Sequence, residues 1–448
     1  MKLIKIFTIF LFISSFLLSE EIEVELSTKN PMCPIYISNI ENINSNFSSS
    51  YLEDLKKVIE FDFNNNGKTE VLKLTNIAEK KINNPYFENS FWKEEKVAFV
   101  VKLIASNKSL TAKIYIKDQP AYKHFNTLLL GDSKPDSKKI HNLSDMIFES
   151  MFNEKGIASR QILYSIRTLN PDEEGPKWLS EIWISDYDGE NSYQLTSENS
   201  YCVHPLFLPY KKQNKHVDFI YVSYKKGQPK IYKSAIDNLV PTPIVSLRGN
   251  QLLPSLSLNG DKLAFISDAA GRPDLFLQHF DTKGWRIGKP WQIFSRSRAT
   301  QSSPTFSPDG NKLAFVSDKD GPPRIYVLNI PQSLHLQKRP EAFLVTRKNR
   351  QNVTPSWSPD GTKLAFSAMV NRVRQIWIYD FETDEEWQLT TGVQNKENPM
   401  WAPNSLHIIY NTEDANSSEL YIININQKIP VKINKGDEKK RFPSWEPF

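Results

Sequence analysis

Short apolar runs separated by turn residues fill the last two thirds of the chain, and one phrase recurs among them. Pro304-Thr-Phe-Ser-Pro-Asp-Gly-Asn-Lys-Leu-Ala-Phe-Val-Ser317 reads as two strands joined by a tight turn. In Ser307-Pro308-Asp309-Gly310, Pro presets φ, Asp bonds its own backbone and Gly accepts positive φ. Leu313–Val316 is then a short apolar run of strand type. Pro254-Ser-Leu-Ser-Leu-Asn-Gly-Asp-Lys-Leu-Ala-Phe-Ile-Ser267 and Pro355-Ser-Trp-Ser-Pro-Asp-Gly-Thr-Lys-Leu-Ala-Phe-Ser367 repeat it. Worn copies begin at Pro399 and Pro205, and Pro443-Ser-Trp-Glu-Pro-Phe448 is half a copy.

The anchor prolines 205, 254, 304, 355, 399 and 443 are 49, 50, 51, 44 and 44 residues apart. A period of ~40–50 residues made of short strands predicts a β-propeller with one four-stranded sheet per blade. Six anchors predict six blades. Residues 443–448 offer only an innermost strand A, whereas Arg160–Ile166, Glu181–Ser185 and Ser192–Thr196 offer only B, C and D. The last strand is therefore expected to join those three and close the ring, which removes exposed sheet edges. The propeller is assigned to 155–448.

Residues 20–154 lack the repeat and are expected to form a small α/β domain. The capping-box spacing Ser50 to Glu53, followed by Leu55, Val58 and Ile59, predicts a helix over 51–60. Val97–Ile104 and Leu110–Ile116 are strands around a turn at Asn107-Lys108. A last helix is expected from Asn142 to Glu154, ended by Gly156. Only about four residues would then link the domains, so they are expected to touch. Met1–Ser19 pairs Lys2 and Lys5 with the apolar run Ile6–Leu18, which predicts a secretory signal. That run is shorter than the ~20 residues of a membrane span. Glu21-Ile-Glu-Val-Glu-Leu26 alternates acidic and apolar residues, as an edge strand or extended arm does.

Charge adds little. The whole chain is +5, and removing two lysines with the signal leaves 54 basic against 51 acidic residues, or +3, too mild for a nucleic-acid partner. Cys33 and Cys202 fall in different domains and are expected to be unbonded. Candidate chemistry is sparse. Asp62-Phe-Asn-Asn-Asn-Gly67 opens like a calcium loop, but Lys73 stands where a bidentate Glu is required, so the segment reads as a solvated turn. The seven histidines show no metal spacing, and Gly131-Asp-Ser133 does not continue into a nucleophile elbow. Asp309, Asp360 and Asn259 read as turn residues. Neither catalysis nor a cofactor is expected.

The blade phrase, with Glu181-Ile-Trp-Ile-Ser-Asp-Tyr-Asp-Gly189 and Phe442-Pro-Ser-Trp-Glu-Pro447, resembles the TolB-like propellers of the Tol–Pal system of Gram-negative bacteria. Asn404-Ser405 departs from the family's Asp-Gly, and residues 60–95 are not family-like. The resemblance implies an exported periplasmic protein with a binding role in envelope integrity and cell division. Its implied partners are the lipoprotein Pal on the propeller and TolA on the N-terminal arm, here Glu21, Ile22, Glu23, Val24, Glu25 and Leu26. No membrane insertion is implied, and the chain alone is expected to be a monomer. The family's docking face is the one bearing the D-to-A loops, which carries over to Asn250, Leu253, Ser302 and Ser303. Charge on the same loops (Arg296, Arg298, Arg347, Lys348, Arg350) and on B-to-C loops (Lys225, Lys226, Arg372, Arg374) predicts a basic sector. Arg298, Arg347 and Arg350 are expected to ring the Pal site, with Leu253, Ser303 and Thr354 nearer its centre. Two other readings stay open: a small-ligand site in the channel, and a hydrolase-associated propeller.

Overall fold

The computed structural model describes residues 32–84, 88–117, 122–172, 174–209, 217–331, 339–427, 429–433, 436 and 438–448. The expected signal and the arm Glu21–Leu26 lie outside them.

The propeller is present, with six four-stranded sheets. Its inner strands are Cys202–Phe207, Leu252–Leu256, Gln301–Phe306, Asn352–Trp357, Asn395–Trp401 and Lys439–Trp445, belonging to blades 1 to 6 in that order. The last of these pairs antiparallel with Gln161–Leu169, matching Trp445 to Ile162, so the ring closes as the repeat predicts. Strand B of blade 3 explains its unbroken apolar run. Leu313 and Phe315 pack toward blade 2, while Ala314 and Val316 pack toward blade 4. Both faces of that strand are buried, so no polar alternation survives.

The turns justify their sequence. Gly310 has φ 65° and its N–H donates to Ser307 O at 2.9 Å, while Lys312 N donates to Ser307 Oγ at 2.9 Å. Asn311 N donates to Asp309 Oδ1 at 3.0 Å. Ser358, Asp360 and Gly361 repeat the arrangement. In blade 5 Ser405 takes the glycine's place at φ 57°. These carboxylates are turn formers.

The N-terminal domain is a five-stranded sheet with helices on both faces. It runs β1 (Cys33–Ile43), α1 (Ser49–Asn64), β2 (Thr69–Val71), α2 (Asn76–Ile82), α3 (Asn89–Glu94), β3 (Phe99–Ser106), β4 (Ser109–Ile116), β5 (Lys123–Leu128) and α4 (Ser133–Phe152). The order is β2-β1-β3-β4-β5, with β1 parallel to both neighbours. Helices α1 and α4 cover one face through Leu52, Leu55, Ile59, Ile140, Leu143 and Ile147. Trp92, Ala78 and Ile82 cover the other against Tyr36 and Val100.

Both long helices exceed their expected bounds. Helix α1 is capped by Ser48, whose Oγ accepts from Tyr51 N, and it continues through Asp62 to Asn64. The supposed solvated turn is therefore helix at its start, and Asp62 is only 2% exposed. Helix α4 starts nine residues before Asn142, capped by Asp132 with Pro135 in its first turn, where proline is tolerated. It ends at Asn153, left-handed at φ 54°, before Gly156 is reached. Cys33 and Cys202 are unbonded, the first partly buried and the second buried.

The two domains meet at a buried polar cluster. Asp62 Oδ1 accepts from Tyr187 OH at 2.8 Å and lies 2.8 Å from His141 Nδ1. The other ring nitrogen is 3.4 Å from Asp188 Oδ2. Burial alone would lower the His141 pKa, but the carboxylates of Asp62 and Asp188 raise it well above the usual imidazole range, so the ring is a cation. Asp145 accepts from Ala158 N and Ser159 N, both at 2.9 Å, and fixes the linker. Phe61 packs on Tyr187, and Gly67, at φ 86°, sits close against His407 and Asn424. Tyr187 and Asp188 lie in the C–D turn of blade 6, and His407 and Asn424 begin strand B and end strand C of blade 5, beside its A–B and C–D turns. The N-terminal domain therefore docks on that face at blades 5 and 6, and the D-to-A loops lie on the opposite one.

Candidate docking face and channel

Each inner strand enters the ring through the same distortion. The residue before each anchor proline is left-handed: His204 (φ 52°), Leu253 (50°), Ser303 (45°), Thr354 (48°), Asn398 (53°) and Phe442 (53°). The ladder register shifts at each of these points, which marks a β-bulge. Non-glycine residues rarely adopt this conformation, at a cost of ~1–3 kcal/mol each. The bulge also accommodates the proline, which cannot donate to a ladder and sits on the strand edge facing the channel.

These six residues form the channel mouth on the D-to-A face. Leu253, Ser303 and Thr354 are thus brought together in equivalent positions. Reading the loops for charge missed the other three members, His204, Asn398 and Phe442. The signal for them was present, because each precedes an anchor proline. Thr354 Oγ1 donates to Ser367 Oγ at 3.1 Å, and Asn398 Nδ2 donates to Asn411 Oδ1 at 2.9 Å. Ser302 and Ser303 share a hydroxyl contact of 3.1 Å. The rings of His204 and Phe442 lie 3.9 Å apart across the closing seam. Burial pushes the His204 pKa down to about 4, so its imidazole is neutral at pH 7.

Asn250 is part of a loop clasp. Its N and Nδ2 donate to the two oxygens of Asp268 at 2.7 and 2.8 Å. Thr300 and Asp318 repeat the clasp in blade 3, and Gln394 with Asp414 in blade 5. In each case a D-to-A loop is tied to the adjoining B-to-C loop, so the face is held in shape by its own aspartates.

The basic sector is smaller than the loop sequences suggest. Arg347 pairs with Asp384 at 3.0 Å and its backbone N donates to Glu386 at 2.6 Å, which ties it to the outer edge of blade 4. Lys348 Nζ donates to the Glu386 carbonyl at 2.6 Å. Arg374 lies 3.3 Å from Glu397, and Lys225 lies 2.7 Å from Glu198. Arg298, Arg350 and Arg372 are exposed and make no ion pair among the described residues. A second basic group lies on blade 6 of the same face. Arg167, Lys177 and Lys439 lie 4.5, 5.8 and 5.9 Å from the Trp178 ring centre.

Behind the mouth the channel holds about 500 Å3, lined along all six inner strands. Below the prolines come Phe207, Leu256, Phe306, Trp357, Trp401 and Trp445. The described residues hold no cluster of His, Cys, Asp and Glu suited to a metal ion.

A sequence model of the TolB beta propeller domain matches residues 148–448. The chain belongs to the TolB family. The TolB homolog of Protochlamydia amoebophila is 44% identical over 384 residues, which cover 85% of this chain and 82% of that protein. The TolB homolog of Chlamydia pneumoniae is 35% identical over 314 residues, 70% of each. The crystal structure of TolB from Acinetobacter baumannii superposes with a TM-score of 0.74 over 94% of this chain and 98% of its own, at 21% identity. That last likeness extends the family fold across the N-terminal domain as well. No helix among the described residues is long and apolar enough to cross a membrane.

Proposed function

We propose that this chain is a non-enzymatic periplasmic adaptor of the Tol–Pal type. It docks a Pal-type lipoprotein on the D-to-A face of the propeller and TolA through the arm Glu21–Leu26, and it supports envelope integrity during division. Family membership supports the reading, and the observation that carries it is the contrast between faces. The A–B face carries the N-terminal domain, docked at blades 5 and 6. The D-to-A face is open, shaped by its own loop clasps, and carries the exposed arginines Arg298, Arg350 and Arg372 beside the neutral mouth residues Leu253, Ser303 and Thr354. Such a surface suits an acidic rim around an uncharged centre, with charge acting on the association rate.

The test is the triple reversal Arg298→Glu, Arg350→Glu and Arg372→Glu, with association to a purified Pal-type lipoprotein measured against salt. Association is expected to slow several-fold at low salt and to converge with wild type as salt rises. Equal rates and equal salt slopes would move the partner off this sector. Removing residues 20–27 is expected to abolish TolA binding and leave Pal binding intact, since strand addition draws its affinity from main-chain bonds.

A further inference from the structure

The sheet of the N-terminal domain ends in a strand whose outer side is unpaired. Strand β5 pairs with β4 from Lys123 opposite Ile114 to Leu128 opposite Ser109, and Leu129 N carries the ladder on by donating to Lys108 O at 2.7 Å. The alternation of an antiparallel ladder then turns the N–H and C=O of His124, Asn126 and Leu128 outward. None of these backbone groups has a hydrogen-bond partner among the described residues. The other free edges are guarded. Strand β2, at the far side of the sheet, has three residues, and Val71 N is taken by Asn64 Oδ1 at 2.9 Å. The outer strands of the blades have two to four residues, save Arg286–Phe294, which Gly288 and Pro290 interrupt. Short strands, proline and edge lysines are the usual means of keeping an edge from pairing. Strand β5 has neither proline nor glycine, and its lysine is drawn off the edge, since Lys123 Nζ donates to the Ser150 carbonyl of α4 at 2.8 Å.

The two sides of that edge differ. On the side away from α1 and α4, Lys102, Lys113 and His124 stand in one row across β3, β4 and β5. Like charges directly opposite, as Lys102 and Lys113 are, destabilise a sheet. Glu41 offsets Lys102 at 3.0 Å. Lys113 makes no ion pair among the described residues, and its Nζ lies 5.2 Å from the Tyr122 ring centre. Residues 99–128 hold five lysines and one acidic residue, Asp118, which lies outside the described residues. On the other side Phe125 packs onto the apolar core, and Met146, one turn from Ser150 on α4, is 47% exposed. A strand added to β5 would therefore meet positive charge with every second side chain and apolar surface with the others.

We propose that β5 docks an extended segment of a partner protein in which acidic residues alternate with apolar ones. The segment adds as a further strand, its main chain pairing with His124, Asn126 and Leu128. Its carboxylates lie toward Lys113 and His124, and its apolar side chains toward Phe125 and Met146. A second copy pairing through the same strand would bring two such basic rows together, which is unfavourable.

The test is the full chain titrated with the capped, fluorescein-labelled peptide Glu-Val-Glu-Val-Glu-Val and followed by anisotropy. Saturable binding of one peptide per chain is expected, weakening as salt rises, with the peptide Lys-Val-Lys-Val-Lys-Val at least about tenfold weaker. Amide exchange is expected to slow at His124, Asn126 and Leu128 when the acidic peptide is bound. Asn126→Pro removes an outward N–H that the fold does not use, and proline is tolerated there. It is expected to weaken the peptide at least about tenfold while the melting temperature holds. Lys113→Glu is expected to do the same through charge, and either variant suffices if the other folds poorly. Deleting residues 20–27 is expected to leave the affinity unchanged. The proposal is overturned by no saturable binding, by equal affinity in a folded Asn126→Pro or Lys113→Glu chain, by equal binding of the lysine peptide, or by no protection of those three amides. Binding that appears only after the deletion would mean that the chain's own arm fills the edge. A dimer of the chain alone that Asn126→Pro dissolves would mean that a second copy does. Either result also overturns it.

Discussion

The two faces of the propeller use the same kinds of side chain to opposite ends. On the A–B face, Asp62, His141 and Tyr187 are buried, and Asp62 and half-buried Asp188 flank the His141 ring at 2.8 and 3.4 Å. On the D-to-A face, Arg298, Arg350 and Arg372 stand in water. A buried charge is costly to strand, because its partner is left without water or counter-ion. An exposed charge contributes little to stability but acts at a distance on whatever approaches. The junction therefore ties the two domains together, and the charges of the open face act on whatever approaches it.

The sharpest break of that contrast is at the seam, which belongs to neither face. Deleting Pro443–Phe448 removes Trp445 and strips the pairing of Ser444 and Trp445 with Leu163 and Ile162. A loss of several kcal/mol is expected, since a large core aromatic alone is worth ~3–5 kcal/mol. Thermal melts of the truncation check it, and an unchanged midpoint would mean that the ring does not depend on its last strand.

Next in size is His141→Leu. It strands Asp62 and Asp188 in the junction, and ~3–5 kcal/mol is expected by denaturant unfolding. The pH dependence has a definite sign. The imidazole pKa is raised on folding, so its stabilisation is complete below the unfolded value of ~6.5 and is lost as pH climbs through the raised folded value. The gap between wild type and His141→Leu should therefore narrow on the alkaline side. A gap that widens there would mean the ring is not a cation.

Asn250→Ala removes the side-chain half of one loop clasp and leaves Asp268 short of one donor, Asn250 Nδ2. A cost of ~1 kcal/mol is expected, with faster amide exchange confined to the loop around residue 250. Exchange rates that do not change would show that the aspartate clasps do not shape the open face. The smallest effect is assigned to Arg347→Ala. Its pair with Asp384 is exposed on both sides, so ~0–1 kcal/mol is expected, with little change in the salt dependence of association. A large change would return Arg347 to the docking sector.

These contrasts also mark what the amino-acid order reveals. The A–B turns were legible because every contact that makes them lies within five residues, as Ser307 to Lys312 shows. The apolar run Leu313–Val316 was legible for the same local reason. The junction was not. Asp62 meets His141 and Tyr187 across 79 and 125 residues, and a run of Asn beside it resembles an exposed turn. The start of α4 was missed because Asp132-Ser-Lys-Pro135 has loop composition, although its Asp and Pro are a cap and a first-turn residue. The basic loops were located correctly as sequence. The neutralisation of Arg347 depends on Asp384, 37 residues away on the next blade, and no local pattern announces it.

The closing strand has a consequence for biosynthesis. Gln161 N donates to Glu446 across 285 residues, so blade 6 stays one strand short until nearly the whole propeller has been made. Blades 1 to 5 are each contiguous in sequence and can assemble as they emerge, while Gln161–Leu169 waits with an unsatisfied inner edge. Ring closure is then the slow, long-range step of folding, and the waiting edge is the place where an incomplete chain is most open to mispairing.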